Sequence, residues 1–190
     1  GQYAEVVITF EPSDDEVLGF ESKVRGGSVP TEYHASVKRG IEDAMQAGVL
    51  AGYPVVGVKA VLVDGSAHSV DSSDMAFRTA GKMCFRRATA SAIPRILEPI
   101  MKVEIATPDD YIGDIVGDIG SRRGKVVNMR RFRKGSQKIE ALVPLAEMFG
   151  YATPLRSMSS GRANFAMEFH CYEPVPAEVQ VRIIKERSES

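Results

Sequence analysis

Residues 97–143 read LEPIMKVEIATPDDYIGDIVGDIGSRRGKVVNMRRFRKGSQKIEALV and decide the fold of the second half of the chain. Apolar and polar residues alternate over Met101–Ile105, which predicts a half-buried strand. Apolar residues then recur at helical spacing over Ile112–Ile119, and two further strand patterns cover about 125–130 and 137–143. This segment therefore predicts the order strand, helix, strand, strand.

A second helix at about 145–155 and a last alternating strand complete the series, and the order βαββαβ is that of the ferredoxin-like fold. Pro154 falls inside the predicted helix. We expect it to end or bend the helix early, because proline has no backbone N–H to donate. The residues of the last strand that are expected to face inward are Ala163, Phe165, Met167, Phe169 and Cys171.

The first half of the chain predicts a second α/β unit. Strand patterns cover about 2–11, 20–24 and 55–63, and amphipathic helices follow the second and third of them. Asp64–Ser66 is predicted to turn the chain, and Asp71 to cap the helix after it. The sequence thus predicts an α+β protein of two α/β sandwiches.

Length and composition agree with two domains. The 190 residues suit two domains of about 90 to 100 residues each, and 44% hydrophobic residues suffice for packed cores. No stretch approaches the roughly 18 apolar residues that a membrane helix needs. The change of pattern between Pro94 and Pro99 places one domain at 1–96 and the other at 97–190. Since the chain begins with Gly1 and not with methionine, we expect it to be a piece of a longer protein.

The sequence carries no motif for catalysis or metal binding. The Gly-Lys pairs at 81–82 and 124–125 lack the leading glycine and the following Ser or Thr of a phosphate-binding loop. We therefore expect no GTP binding by this chain, no catalytic residue and no metal site. The histidines and cysteines are scattered without metal-ligand or redox spacing: His34, His68, His170, Cys84 and Cys171.

Two features leave alternatives open. Eight basic residues and no acidic one lie between Arg122 and Lys138, which is compatible with a phosphate-contacting surface or with a solvated hairpin. Gly113, Gly117 and Gly120 each weaken a predicted helix by roughly 1 kcal/mol relative to alanine. Either that helix packs tightly on its sheet, or an external backbone such as RNA approaches it closely.

Separate stretches along essentially the whole chain resemble the fourth and fifth domains of elongation factor G, in the family's order. The resemblance implies a ribosomal protein S5 domain 2-like fold for the first domain, without its first strand, and a ferredoxin-like fold for the second. The stretches are GQY at 1–3, KRGIEDA at 38–44, LAGYPV at 50–55, HSVDSSDMAF at 68–77, LEPIMKVE at 97–104, GDIVGDIGSRRG at 113–124, VPLAEMFGYATPLRS at 143–157 and SGRANFAMEFHCYEPVP at 160–176.

The resemblance implies a monomeric parent GTPase that promotes tRNA–mRNA translocation, with GTP and Mg²⁺ bound in a domain that this chain lacks. The implied partners are rRNA, the tRNA–mRNA duplex and stalk-base proteins of the ribosome, in the bacterial cytoplasm or in an organelle, without a membrane. The tip that enters the decoding region is implied to consist of Gly1, Gln2, Tyr3, Ser66, Ala67, His68, Ser69, Asp71 and Ser72. The candidate rRNA contacts are Arg122, Arg123, Lys125, Arg130, Arg131, Arg133 and Lys134.

Alternatives within and outside this family remain open. Pro154 and the basic stretch at 130–134 depart from the family's usual pattern and indicate a paralogous version. A ribosomal protection protein or a ribosome-recycling paralog belongs to the same superfamily, and a free-standing RNA-binding module is a third interpretation.

Overall fold

The computed structural model describes all residues from Gly1 to Ser190. The chain divides into two compact units, one of residues 1–96 with 178–190 and one of residues 97–177. Each unit contains a β-sheet with helices, as expected for an α+β protein. None of the helices combines the length and the apolar character that crossing a membrane requires.

The first unit has a three-stranded mixed sheet. Its strands lie in the order β1-β3-β2, with β1 antiparallel and β2 parallel to the central β3. The elements are β1 (Glu5–Pro12), β2 (Gly19–Ser22), α1 (His34–Ala47), β3 (Val58–Ser66) and α2 (Asp74–Ser91).

The end of β3 differs from the prediction. Asp64–Ser66 does not turn the chain; it continues β3 and pairs with the start of β1, from Glu5 to Val7. A Cβ on Gly65 would lie 2.2 Å from the carbonyl oxygen of Glu5 and 2.6 Å from Val29 Cγ2. The glycine is therefore required for close packing inside the strand and not for a turn.

The cap of α2 also differs from the prediction. Ser73 caps the helix, because its Oγ accepts a hydrogen bond from the Ala76 N–H at 3.1 Å, while Asp71 lies outside the helix. Asp74 in the first turn still places a carboxylate at the positive end of the helix.

Helices α1 and α2 pack against each other at two glycines. A Cβ on Gly40 would lie 1.9 Å from the carbonyl oxygen of Arg78, and one on Gly81 would lie 2.5 Å from that of Val37. Beside this contact the Arg78 guanidinium binds both carboxylate oxygens of Asp43, at 2.6 and 3.0 Å. These hydrogen bonds lower the pKa of the Asp43 carboxyl below its ordinary value.

Residues 178–190 belong to the first unit, whereas the sequence prediction included them in the second. They form most of the last helix, α5 (Ala177–Ser188). Gln180 Oε1 accepts the Ile96 N–H at 2.9 Å. Arg187 donates to the Ala51 carbonyl at 3.0 Å and lies 3.9 Å from the centre of the Tyr53 ring. These contacts explain why residues 178–190 group with the first unit.

The second unit has a four-stranded antiparallel sheet in the order β5-β6-β4-β7, which is the ferredoxin-like arrangement. Its core contains Val103, Ile115, Ile139 and Tyr151, all at most 2% exposed. The elements are β4 (Leu97–Pro108), α3 (Ile112–Ser121), β5 (Lys125–Arg133), β6 (Ser136–Pro144), α4 (Ala152–Ser159) and β7 (Asn164–Pro174).

The predicted helix at 145–155 is wrong in its bounds. The chain forms a short 3-10 turn at Leu145–Glu147, and α4 begins only at Ala152. Pro154 is thus the third residue of α4 and does not break it, since N–H groups in the first turn have no carbonyl partner within the helix.

The expected orientation of the last strand is wrong at Cys171, which a bulge pairs with Ile100 on the face opposite to Met101, and the expected burial is wrong at two further positions. Met167 and Phe169 face the helix-covered side of the sheet, where they pair with Val103 and Met101, yet they are 40% and 53% exposed. The reason is that β7 is an edge strand and α4 has only 8 residues to cover it.

Tight packing does not explain the glycines of α3. A Cβ added to Gly113, Gly117 or Gly120 would meet no atom within 4 Å. The buried face of α3 is formed instead by Ile115 and Ile119. Of the two interpretations of these glycines, the packing of α3 on its own sheet is therefore wrong.

Candidate nucleic-acid interface

Two loops meet at one end of the first unit. Residues 1–3 lead into β1, and residues 67–72 follow β3, whose last residue Ser66 pairs with Glu5. This register brings all the predicted decoding-site residues together, and we call residues 1–3 and 66–72 the tip. The sequence positions are more than 60 residues apart, so the antiparallel pairing of β1 with β3 creates the site.

Ser72 holds the two loops of the tip together. Its Oγ donates to the Tyr3 carbonyl at 2.7 Å and accepts the His68 N–H at 2.8 Å. The Ser72 N–H donates to the His68 carbonyl at 3.2 Å, and the Tyr3 N–H donates to the Asp71 carbonyl at 2.9 Å. One hydroxyl thus links the segment before β1 to the loop before α2. Its removal leaves the His68 N–H and the Tyr3 carbonyl without this hydrogen-bond partner.

The rings of Tyr3 and His68 are stacked. Their centres lie 3.7 Å apart and their planes differ by 2°. The Tyr3 hydroxyl is 2.6 Å from Ser66 Oγ and donates to Glu5 Oε2 at 3.3 Å, which fixes the ring that supports the imidazole. His68 Nδ1 lies 3.8 Å from Asp71 Oδ2, and the side chain is 54% exposed. The imidazole is therefore held in one plane and open to a ligand.

Further contacts connect the tip to the core of the unit. The Tyr33 hydroxyl donates to the Ser72 carbonyl at 3.5 Å, and the Tyr33 ring stacks on the buried Phe77 at 4.6 Å. Ser73 Oγ donates to Gln2 Oε1 at 3.2 Å. The sequence prediction missed both Tyr33 and Ser73. A serine followed by an acidic residue at a helix start could have indicated Ser73, whereas no local pattern indicates Tyr33.

The tip presents mostly polar groups, and none of its side chains is a lysine or an arginine. Gly1, Gln2 and Ser69 are exposed, and Val70 at the turn is 89% exposed. Ala67 instead packs against the hydrophobic core and fixes the base of the loop. The tip can donate and accept hydrogen bonds through amides, hydroxyls and an imidazole, but it carries no lysine or arginine to bind phosphate by charge.

The basic block does not form one surface. Arg122 donates to Asp118 at 2.8 Å and to the Glu147 carbonyl at 2.6 Å, and its side chain is 20% exposed. Arg123 binds Glu98 at 2.9 Å and Glu147 at 3.3 Å. Because internal partners engage these two guanidiniums, they are primarily structural residues.

Carboxylates also neutralise the middle of the block. Glu104 binds Lys138 at 3.0 Å and Arg130 at 3.4 Å, and the hydrogen bond from Lys138 lowers the pKa of this carboxyl. Arg131 lies 3.7 Å from Asp109. The candidate contacts that form no ion pair are Lys125, Arg133 and Lys134.

Comparison with known proteins agrees with this arrangement. The model of the family described as elongation factor G, domain IV, matches residues 1–93, and that of the elongation factor G C-terminus matches residues 95–183. A crystal structure of a protein from Thermus thermophilus is 37% identical and superposes with a TM-score of 0.90. The alignment covers 100% of this chain and 28% of that one.

The first model lies within the first unit and the second covers the whole second unit together with residues 178–183 of α5, and together the two models span nearly the whole chain. The chain therefore belongs to the elongation factor G family of translational GTPases, as its domain IV and C-terminal part.

Proposed function

We propose that this chain is the ribosome-engaging part of an elongation factor G, and that its tip enters the decoding region to promote GTP-dependent tRNA–mRNA translocation. In this proposal GTP and Mg²⁺ bind in another domain of the parent, and the parent acts as a monomer in the cytoplasm. The partners are rRNA, the tRNA–mRNA duplex and proteins of the stalk base. The chain itself catalyses no reaction.

The pre-organised tip is the observation that carries the proposal. The stack of Tyr3 on His68 and the hydrogen bonds of Ser72 order both loops before any partner is present. Ordering them on binding would otherwise cost free energy, of order 1 to 2 kcal/mol for each backbone residue fixed. Amide, hydroxyl and imidazole groups are suited to the phosphates, ribose hydroxyls and base edges of RNA.

The charge of the tip indicates the kind of work that it does. Phosphate neutralisation by lysine and arginine supplies most of the salt-dependent affinity for nucleic acid. The tip has no such side chain, so it contributes little of this affinity. We infer that its role is geometric: it occupies a defined position beside the tRNA–mRNA duplex and blocks the return of the tRNA, while other surfaces provide binding energy.

Substitution of the imidazole tests this role. In the full-length GTPase, we expect His68→Ala to slow single-turnover translocation by roughly 10-fold, the loss that about 1.4 kcal/mol of transition-state stabilisation would cause. Ribosome-stimulated GTP hydrolysis should stay within about twofold, because the tip is not a nucleotide site. Stopped-flow fluorescence of labelled mRNA and phosphate release from the same complexes provide both rates.

Ser72→Ala should likewise slow translocation and leave GTP hydrolysis nearly unchanged. It removes the hydrogen bonds that hold both loops, while His68 itself stays in the chain. Ser91→Ala is the matched control, since Ser91 is an exposed serine at the other end of α2, outside the tip. Loss of GTP hydrolysis with normal translocation in His68→Ala would refute the assignment of the tip.

A ribosome-recycling paralog is the second candidate function, which the sequence leaves open. Pro154 gives it no support, because that proline is tolerated in the first turn of α4. The translocation assay separates the two functions, since a recycling factor would show no single-turnover translocation at all.

A further inference from the structure

The turn between β5 and β6 carries an aromatic ring among unpaired cations. Strand β5 ends with Arg133, Lys134 and Gly135 form the turn, and Ser136 opens β6. Gly135 has φ 78°, and its carbonyl accepts the Asp109 N–H at 3.0 Å. The turn is thus anchored to the body of the unit, and we call residues 131–136 the hairpin tip.

Phe132 lies in a β-bulge of this hairpin. Arg131 pairs with Gln137 and Arg133 pairs with Ser136, so Phe132 has no partner across the ladder. A bulge of this kind redirects a side chain relative to the regular alternation of the strand. Phe132 is 40% exposed and is not among the residues of the hydrophobic core. Its ring therefore has a surface available to a partner.

Two cations hold the Phe132 ring in place. The Arg133 guanidinium lies 5.0 Å and the Lys138 ammonium 5.3 Å from the ring centre, within the range of a cation–π interaction. Glu104 neutralises Lys138, whereas Arg133 and Lys134 have no carboxylate partner. An oriented aromatic ring thus lies beside the uncompensated charge of Arg133, and Lys134 follows directly in the turn.

We propose that the hairpin tip is a binding site for an unpaired nucleotide of RNA, in which Phe132 stacks on the base while Arg133 and Lys134 contact the flanking phosphates. Base stacking on aromatic side chains beside basic residues is how proteins hold single-stranded nucleic acid. Within a duplex the base faces are already stacked on one another, and aspartate and glutamate side chains have no aromatic face to stack on the ring. This inference rests on the proposed ribosomal function and defines one RNA contact of the second unit.

Binding of free RNA to the 190-residue chain tests the site without ribosomes. The probe is a single-stranded RNA of about 12 nucleotides that contains one 2-aminopurine, a length within the usual range of such sites. We expect saturable binding with quenching of the 2-aminopurine fluorescence. Phe132→Ala and Phe132→Leu should both weaken binding by about 5- to 150-fold and abolish the quenching, as is typical for the loss of one stacked base.

The charge contribution is measured separately. Arg133→Gln with Lys134→Gln should reduce the slope of log affinity against log salt by about 1.4, or about 0.7 for each single-strand phosphate contact. Arg162→Gln is the matched control, because Arg162 is an exposed arginine of the same unit without an ion pair and should leave the slope unchanged. Unaltered thermal unfolding of the Phe132 variants shows that the loss is not one of folding.

Three outcomes overturn the proposal: Phe132→Ala binds the RNA as tightly as the unaltered chain, duplex RNA binds equally well, or oligoglutamate competes as effectively as RNA. The last two results would define a surface that recognises charge alone. None of them bears on the His68 test, which measures translocation, so a failure here and a failure of the proposed function are distinguishable.

Discussion

Gly40→Ala should destabilise the first unit by about 3 kcal/mol, at the upper end of the usual cost of overpacking. The added Cβ would lie 1.9 Å from the Arg78 carbonyl oxygen and 2.9 Å from the Lys82 nitrogen. Both are backbone atoms of α2, so no side chain can move aside, and the two helices must separate. Their separation would disturb the packing of Val37 and Phe77, which are both fully buried.

The control for this change is the same substitution in α3. Helix propensity alone favours alanine over glycine by about 1 kcal/mol, and the Cβ of Gly117→Ala would enter open space. Gly117→Ala should therefore stabilise the second unit while Gly40→Ala destabilises the first. Amide hydrogen exchange reports each unit separately. Unchanged protection in Gly40→Ala would mean that α1 and α2 do not pack as closely as described.

Arg123→Met should destabilise the second unit by about 2 to 3 kcal/mol, somewhat less than the cost of breaking a fully buried ion pair. The Glu98 side chain is only 11% exposed, and the Arg123 guanidinium is its ion-pair partner. The substitution leaves that carboxylate buried without its counter-charge. The loss in free energy of unfolding is measured by chemical denaturation, with hydrogen exchange as the signal that reports on this unit.

Arg131→Met is the control for Arg123→Met. Arg131 and Asp109 are 59% and 40% exposed at a separation of 3.7 Å, and such surface pairs contribute about 0 to 1 kcal/mol. Adding Glu98→Gln to Arg123→Met should recover much of the lost stability, because the unpaired charge is then removed. If Arg123→Met unfolded like the unaltered chain and lost only RNA affinity, Arg123 would be a binding residue instead of a structural one.

The sequence was sufficient for the order of strands and helices in the ferredoxin-like unit, because these elements differ clearly in hydrophobic periodicity. It was insufficient where tertiary contacts determine the conformation or the burial of a residue. Gly65 looks like a turn residue, yet it lies within β3 because the Glu5 carbonyl approaches it closely. Phe169 follows the inward phase of β7 and is still exposed, since periodicity does not reveal that a strand is at the edge of its sheet.

The residues of the tip came from the family resemblance, whereas their geometry came from the fold. No local pattern predicts that Tyr3 stacks on His68, because the two are brought together by the pairing of β1 with β3 and by the hydrogen bonds of Ser72. Likewise, the density of positive charge indicated a possible phosphate-contacting surface over the whole basic block. The carboxylates that neutralise much of it, such as Glu98 and Glu104, lie on β4, about 25 residues earlier in the chain.

Proximity of the tip to the decoding region is measured most directly by cleavage of ribosomal RNA from a tethered iron chelate. Ser69 is exposed and lies in the tip, so Ser69→Cys in a form of the full-length GTPase without other reactive thiols provides the attachment site. Ser91→Cys is the control, because it lies at the far end of the 18-residue α2, about 27 Å along the helix from its start. We expect strong cleavage of small-subunit rRNA in the decoding region from position 69 and little from position 91. Equal cleavage from both positions, or none near the decoding region from position 69, would contradict the account.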